Sequence, residues 1–201
     1  MKTKRNVLLA LGSVLLLGIV ALMAWPPSNT LPKPNGFIRI APPIVDSTAH
    51  SLSEFTEASF PYSMLVHGSA QWEGQSELGW GDIVYPWCQG RMQLTYKPVK
   101  QNLATLIDDA HKLAFKHSVV ADGISQKLYV NPERKVYGIL FHVEGNAAST
   151  IQFFATDSTA HFVRGAAYVF AEPNADSLAP VTAFFEKEVI RYLETLTWEN
   201  I

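Results

Sequence analysis

The residues in this sequence that could carry chemistry are few and scattered. Asp108, Asp109 and His111 lie close together in a segment with helical spacing, and carboxylates beside an imidazole can bind a metal ion or transfer a proton. His117 lies six residues after His111, too far around a helix for the two rings to share a metal ion. We interpret this segment as a solvated, charged helix face and predict no metal site.

Cys88 is the only cysteine, so the sequence allows neither an intramolecular disulfide nor a cysteine-based metal site. A catalytic thiol needs a base beside it, and no histidine adjoins Cys88 in the sequence. The chain also contains no phosphate-binding loop, no Gly-x-Ser-x-Gly elbow and no His-Glu-x-x-His motif. We therefore predict that the protein is not an enzyme, has no catalytic residues and needs no cofactor.

A polar cluster near the junction of two predicted strands has two interpretations. Residues 157–159 read Asp-Ser-Thr, and His161 and Arg164 follow. Asp157 and Thr159 can bond to their own backbone in a turn, or the cluster can be a docking patch with Arg164 as its ion-pair anchor. Asn146 begins a loop of small residues, which is typical either of a hairpin turn or of a close approach by another backbone.

Three tryptophans lie in loop-like sequence: two in residues 71–81, which are rich in Gly and Glu, and the third at position 87. Such side chains either seal the core from its edge or mark a protein-binding surface. The candidate partner-binding residues are Trp72, Trp80, Trp87, Asn146, Asp157, His161 and Arg164.

The composition and the N-terminus limit the class of protein. The formal net charge of the 201 residues is −2 without a run of like charges, which argues against nucleic acid as a partner. Lys2, Lys4 and Arg5 precede an uncharged segment over residues 7–25, which two prolines end. The length of this apolar segment favours a membrane anchor over a cleaved signal peptide. Residues 1–25 are therefore interpreted as a membrane anchor, with a signal segment as the alternative. The basic start stays in the cytoplasm, so the remainder faces the periplasm.

The rest of the chain divides into a tether and one domain. Residues 26–60 are rich in proline and predict an extended tether with a short strand at 37–40 and an irregular exposed loop at 46–59. Residues 61–201 predict a single globular domain.

Patterns within this domain predict strands and two helices. Alternation predicts a strand over 91–97 with one wet face, and others over 62–67, 127–130, 135–144, 150–156 and 162–171. Helical spacing predicts one helix that Asn102 caps and a longer one, capped by Asp176 or Ser177, with Pro180 in its first turn. The fold class is α+β: a mainly antiparallel sheet covered by helices on both faces, preceded by the N-terminal helix. This order is similar to that of the Mog1/PsbP α/β/α sandwich.

Many short stretches, in one order, resemble the gliding-motility lipoprotein GldD family of the Bacteroidetes. They are LTYKPV at 94–99, NL at 102–103, DAHKL at 109–113, KH at 116–117, NP at 131–132, KVYG at 135–138, GNAAS at 145–149, TDST at 156–159, HF at 161–162, RG at 164–165, PN at 173–174, DS at 176–177 and ETL at 194–196 before Trp198. LPKP at 31–34 resembles the mature start of the family. The resemblance implies a part in gliding or in type IX protein secretion and implies no catalytic residue.

Two departures from the family affect its attachment and its covalent structure. Trp25 stands where the family carries its lipidated cysteine, and a tryptophan cannot take a thioether lipid. Family cysteines near Phe60 and Gly79 are also missing. The resemblance therefore implies that the apolar segment 7–25 replaces the lipid and holds the protein at the inner membrane, or at the outer membrane if the segment is processed.

These observations lead to one hypothesis and two alternatives. The hypothesis is a non-enzymatic cell-envelope protein that supports gliding or type IX secretion by binding other envelope components. The alternatives are an envelope hydrolase that acts on peptidoglycan, which needs a close His–carboxylate or Cys–His pair, and a periplasmic small-ligand binder, which needs a deep apolar cavity.

Overall fold

A computed structural model describes residues 52–116, 121–172 and 174–199. The strands are β1 (Leu52–Thr56), β2 (Tyr62–His67), β3 (Gln71–Gly74), β4 (Trp80–Tyr85), β5 (Gly90–Pro98), β6 (Ala121–Asn131), β7 (Val136–Gly145), β8 (Ile151–Thr156), β9 (His161–Val169) and β10 (Thr197–Trp198). The helices are α1 (Leu103–Phe115) and α2 (Ala175–Thr195). A short 3-10 helix, Pro86–Cys88, joins β4 to β5.

The strands form two antiparallel sheets. The large sheet has the order β3-β4-β5-β9-β8-β7-β6, and the small one has the order β1-β2-β10. The predicted α+β class with a mainly antiparallel sheet is therefore confirmed. Within the described ranges, no helix is long and apolar enough to cross a membrane. The predicted anchor at 1–25 and most of the predicted tether lie outside these ranges.

Two separate clusters of buried side chains line the large sheet. Phe153 of β8 belongs to the larger cluster, which includes Phe185 and Val189 of α2. Its neighbour Phe154 belongs to the smaller cluster, which includes residues of α1. Because successive side chains of a strand point to opposite faces, the two clusters occupy opposite faces of β8. All six residues of β8 are buried for this reason.

The folded part begins earlier than residue 61. The sequence predicts an irregular exposed loop at 46–59, but Leu52–Thr56 pairs with β2 as a strand. Phe55 and Phe60 are buried, and their rings meet edge to face at 6.0 Å. The prediction failed because β1 buries one side chain, Phe55, and exposes its other four, a pattern too weak to distinguish from a loop.

Other local predictions were also wrong. Residues 71–81 contain β3 and the start of β4, because Trp72 supplies the side chain that packs this edge. Asn102 is at the predicted N-cap position of α1, but its side chain accepts from the backbone N–H of Lys100 and makes no capping hydrogen bond. Asn174 caps α2 by accepting from the backbone N–H of Ser177, so Pro180 lies inside the helix and beyond its first turn.

Candidate functional site

An open cavity of about 300 Å³ lies between α1 and the large sheet. Its walls come from β4, β5 and β9, from the loop before β4, and from one side of α1. The lining residues are Gln75, Trp80, Gln93, Leu94, Thr95, Lys97, Leu106, Asp109, Ala110, Leu113, Phe162 and Arg164. The volume is at the lower end of the range for ligand-binding pockets and suits one or two large side chains.

The register of the sheet brings the polar side chains to this cavity. Thr95 of β5 pairs with Arg164 of β9 and with Trp80 of β4. Residues that pair directly across antiparallel strands present their side chains on the same face. On the opposite face of β5, Met92 is completely buried. The clean alternation of β5 therefore gives the protein one closed face and one polar, accessible face.

Trp80 reaches the cavity because of the backbone geometry before it. Gly79 has a φ of +79°, and a Cβ at that position would lie 2.8 Å from the carbonyl oxygen of Tyr96. The same glycine accepts the backbone N–H of Tyr96 at 2.7 Å, which fixes the loop to β5. A residue with a side chain would be strained there, so glycine sets the position from which Trp80 extends.

The exposed apolar side chains at this cavity come from opposite walls. Trp80 is 38% exposed and Leu113 is 45% exposed, values high enough for both to contact a partner. Lys97, Asp109 and Arg164 surround them with charge. The cavity is thus an apolar opening with a charged rim.

Arg164 is the most unusual group in the cavity. Its guanidinium donates to the side-chain oxygen of Gln152 at 2.7 Å, and partial burial lowers its pKa below the ordinary arginine value. In the parts of the chain that the structure describes, no carboxylate forms an ion pair with Arg164. By contrast, Arg91 pairs with Asp82 at 2.7 Å and lies over the Phe170 ring at 4.7 Å. Among the described residues, Arg91 thus has a carboxylate as counter-charge, whereas Arg164 has none.

Two of the predicted tryptophans pack at the edge of the core. Trp72 lies 5.0 Å from the Phe55 ring and 5.2 Å from the Phe60 ring, both edge to face. Trp87 is half-buried and meets Phe184 at 4.9 Å. These contacts match the interpretation that such side chains seal the core, whereas Trp80 lines the cavity.

The Asp157 cluster forms a turn. The Asp157 carboxylate accepts the backbone N–H groups of Thr159, Ala160 and His161, and it also accepts the Thr159 hydroxyl. Burial acts to raise the pKa of Asp157, but these hydrogen bonds outweigh it and hold the pKa below the ordinary value. The turn interpretation of Asp157 and Thr159 is confirmed, while Arg164 of the same stretch points to the cavity.

His161 and Asn146 also make internal contacts. His161 is buried, stacks on Trp198 at 5.1 Å and shares a hydrogen bond with the Tyr96 hydroxyl at 3.0 Å. Asn146 accepts the backbone N–H of Ala175 at 2.9 Å and so fixes the start of α2. Of the seven candidate residues, the structure therefore brings Trp80 and Arg164 together at the cavity and uses the others within the fold.

Three of the residues considered for catalysis, Cys88, Asp108 and His111, do not line the cavity. Cys88 is buried, and burial raises the pKa of its thiol to about 11. Asp108 pairs with Lys112 at 2.6 Å on the exposed side of α1, while the ring of His111 meets Phe141 at 5.1 Å. His111 thus faces the small core and not the charged face predicted for it. Within the described ranges, no three metal-ligating side chains lie together.

A buried polar network lies on the opposite side of the sheet. The Glu188 carboxylate accepts the Tyr85 hydroxyl at 3.0 Å and the backbone N–H of His67 at 3.1 Å, and it forms an ion pair with Arg191. The hydroxyls of Tyr85 and Tyr192 share a hydrogen bond, and burial raises the pKa of both phenols. Because each group has an internal partner, this network stabilises the attachment of α2 rather than offering a site to a ligand.

The cavity has residues that sequence reasoning missed: Lys97, Asp109 and Leu113. The alternation of β5 gave a signal for Lys97, because it predicts one wet face. Asp109 was considered only for metal or proton chemistry on a charged helix face, and nothing in the sequence indicates that α1 stops short of covering β5.

Comparison with known proteins gives a family. The family described as gliding motility lipoprotein GldD matches residues 27–198. The chain belongs to this GldD family. The match confirms the resemblance and makes the chain a gliding-motility-related envelope protein of a membrane-anchored lipoprotein family. Trp25 lies outside the matched residues.

We also compared the chain with curated proteins and with solved structures. No curated protein matches the chain. Among solved structures, the solution structure of cyanobacterial PsbP (CyanoP) from Synechocystis sp. PCC 6803 is similar, with a TM-score of 0.48 and 8% sequence identity. The similarity covers 79% of this chain and 96% of the cyanobacterial one.

Proposed function

We propose that this GldD-family protein is non-enzymatic and supports gliding motility or type IX secretion by binding another envelope protein. The cavity beside α1 is its binding site. The observation that carries the proposal is the pair of exposed apolar side chains, Trp80 and Leu113, on opposite walls of a charged cavity. Tryptophan and arginine beside a pocket are the residue types that contribute most to protein–protein affinity.

The geometry of the cavity favours a protein partner over the two alternatives. Among the lining residues that the structure describes there is no histidine, cysteine or serine, which disfavours the residue pairs that a hydrolase would need. A periplasmic small-ligand binder would enclose most of its ligand, whereas this cavity opens beside exposed Trp80 and Leu113. A protein partner would insert only one side chain into the cavity, and the rest of the partner would stay outside. An open cavity is suited to this kind of binding.

Attachment to the inner membrane through residues 7–25, with the domain in the periplasm, completes the proposal. Fractionation of cells should recover the protein with membranes, and protease should digest it only after the outer membrane is opened. Recovery of a soluble protein that begins near Trp25 would contradict the membrane anchor.

In-cell photo-crosslinking tests the proposed site. A photoreactive phenylalanine analogue at Leu113 should capture a specific envelope protein, because this side chain lies at the cavity. The same analogue at Leu128 is the control, since Leu128 is 70% exposed on β6, at the far edge of the large sheet from β4. Capture from position 113 and not from 128 supports the proposal. Equal capture from both positions, or none from 113 in a strain that glides and secretes normally, would contradict it.

A further inference from the structure

We propose that the cavity recognises a carboxylate on the partner protein. The carboxylate, from an acidic side chain or the C-terminus of the partner, binds Arg164, and an adjoining apolar side chain lies between Trp80 and Leu113. This inference rests on the proposed function, since it names the chemistry that the same site selects.

The hydrogen bonds of Arg164 point to an oxygen-bearing ligand. A guanidinium has five N–H donors, and the structure pairs Arg164 with one neutral acceptor, Gln152. Charged groups removed from water are normally paired with an opposite charge. Arg91, on the neighbouring strand β5 of the same sheet, has such a counter-charge in Asp82. Arg164 therefore holds donors that a bound carboxylate would satisfy in the bidentate geometry that arginine favours.

Gln152 is the internal partner of Arg164. This residue is 1% exposed, and its side-chain Nε2 has no hydrogen-bond partner. Rotating the amide would not correct this, because its oxygen must face the Arg164 donor. Gln152 itself does not line the cavity, so its part is to hold the Arg164 guanidinium in place, and the remaining Arg164 donors at the cavity favour a ligand rich in acceptors.

The remaining charges agree with an anion of low charge. Lys97 lies at the exposed side of the cavity, and Asp109 lies on α1. The part of the lining that the structure describes therefore carries two cations and one carboxylate. A single carboxylate balances this excess, whereas a dianionic phosphate would exceed it and would face Asp109. The apolar walls of the cavity bind the apolar side chain that adjoins this carboxylate.

A matched set of small probes tests this chemistry without the partner. The probes are 3-phenylpropionate, its neutral amide and 2-phenylethylphosphonate, titrated into the protein while the indole N–H signal of Trp80 is followed by NMR. We expect 3-phenylpropionate to bind about tenfold more tightly than the amide, which is the contribution of a charged hydrogen-bonded pair. Tighter binding of the phosphonate, or equal binding of acid and amide, would overturn the carboxylate assignment.

Variants of Arg164 separate recognition from structure. Arg164→Gln should abolish the preference for the acid over the amide, while Arg134→Gln, the same change at an exposed arginine outside the cavity, should keep it. Because Arg164 lacks a counter-charge, its replacement should leave the Tm unchanged or raise it. A clear fall in Tm together with an unchanged preference would overturn the inference. If the probes behave as expected but position 113 captures no protein, the carboxylate site stands and the proposed partner fails.

Discussion

The two faces of the large sheet differ in how they are closed. On the α2 face, large buried side chains from both sheets and the helix form one continuous cluster. On the α1 face, the buried cluster comprises six of the described residues, and the polar side chains of β5 remain accessible beside it. The same strands build both faces, so the difference lies in which side chains they present and in how far the helix extends over them. One face stabilises the fold, and the other leaves a surface for recognition.

The largest effect should come from the closed face. Phe185 is 1% exposed and meets Tyr85 at 5.5 Å, so Phe185→Ala removes a full aromatic side chain and leaves a cavity. We expect a loss of about 3–5 kcal/mol in the free energy of unfolding, measured by urea denaturation. Phe115→Ala on α1 is the control, because that ring is 40% exposed, and it should cost less than about 1.5 kcal/mol. Similar losses in both variants would contradict the difference between the faces.

The polar network of the closed face should give the next effect. Glu188→Ala leaves Arg191 without its carboxylate and the Tyr85 hydroxyl without one of its partners. Breaking a buried ion pair by removing one member costs about 3 kcal/mol. Glu186→Ala, two residues earlier on the same helix and only partly buried, should change stability by less than about 0.5 kcal/mol. A loss below about 1 kcal/mol for Glu188→Ala would show that the network does not hold α2.

The Asp157 turn should give a smaller, pH-dependent effect. Asp157→Asn keeps one acceptor oxygen but removes the charge, so we expect a loss of about 1 kcal/mol at pH 7. The folded-state pKa of Asp157 is below its ordinary value of 3.8, so its contribution is present above that value and is lost as the pH falls through the folded pKa. The difference between variant and parent should therefore shrink below about pH 4 in urea titrations at several pH values. A difference independent of pH would show that the charge is not involved.

The sequence predicted well where a strong period was present. The alternation of β5 and the helical spacing of α1 each gave an element that the structure confirms. The predicted strand at 162–171 is confirmed as β9, which is apolar on both sides and lies between β5 and β8. These patterns are local and repeat over several residues, so they predict the element without any information about its partners in the fold.

The sequence failed where a single side chain or a distant partner decides the structure. β1 is a strand because it pairs with β2 and buries Phe55, and neither fact is visible in its own residues. The start of α2 depends on Asn174 and on Asn146, which lies on a different loop. The cavity likewise depends on how much of β5 the helix α1 covers, so the sequence indicated Trp80 and Arg164 but not their shared site.

One matched pair of substitutions tests most directly whether recognition lies on the α1 face. Leu113→Glu places a charge in the cavity, and Ala183→Glu places the same charge on the exposed side of α2. Each variant should replace the parent protein in cells, at equal protein level, while gliding and type IX secretion are measured. We predict that Leu113→Glu abolishes these activities with a stability change below about 0.5 kcal/mol, and that Ala183→Glu retains them. Full activity of Leu113→Glu, or loss of activity with Ala183→Glu alone, would contradict a recognition site beside α1.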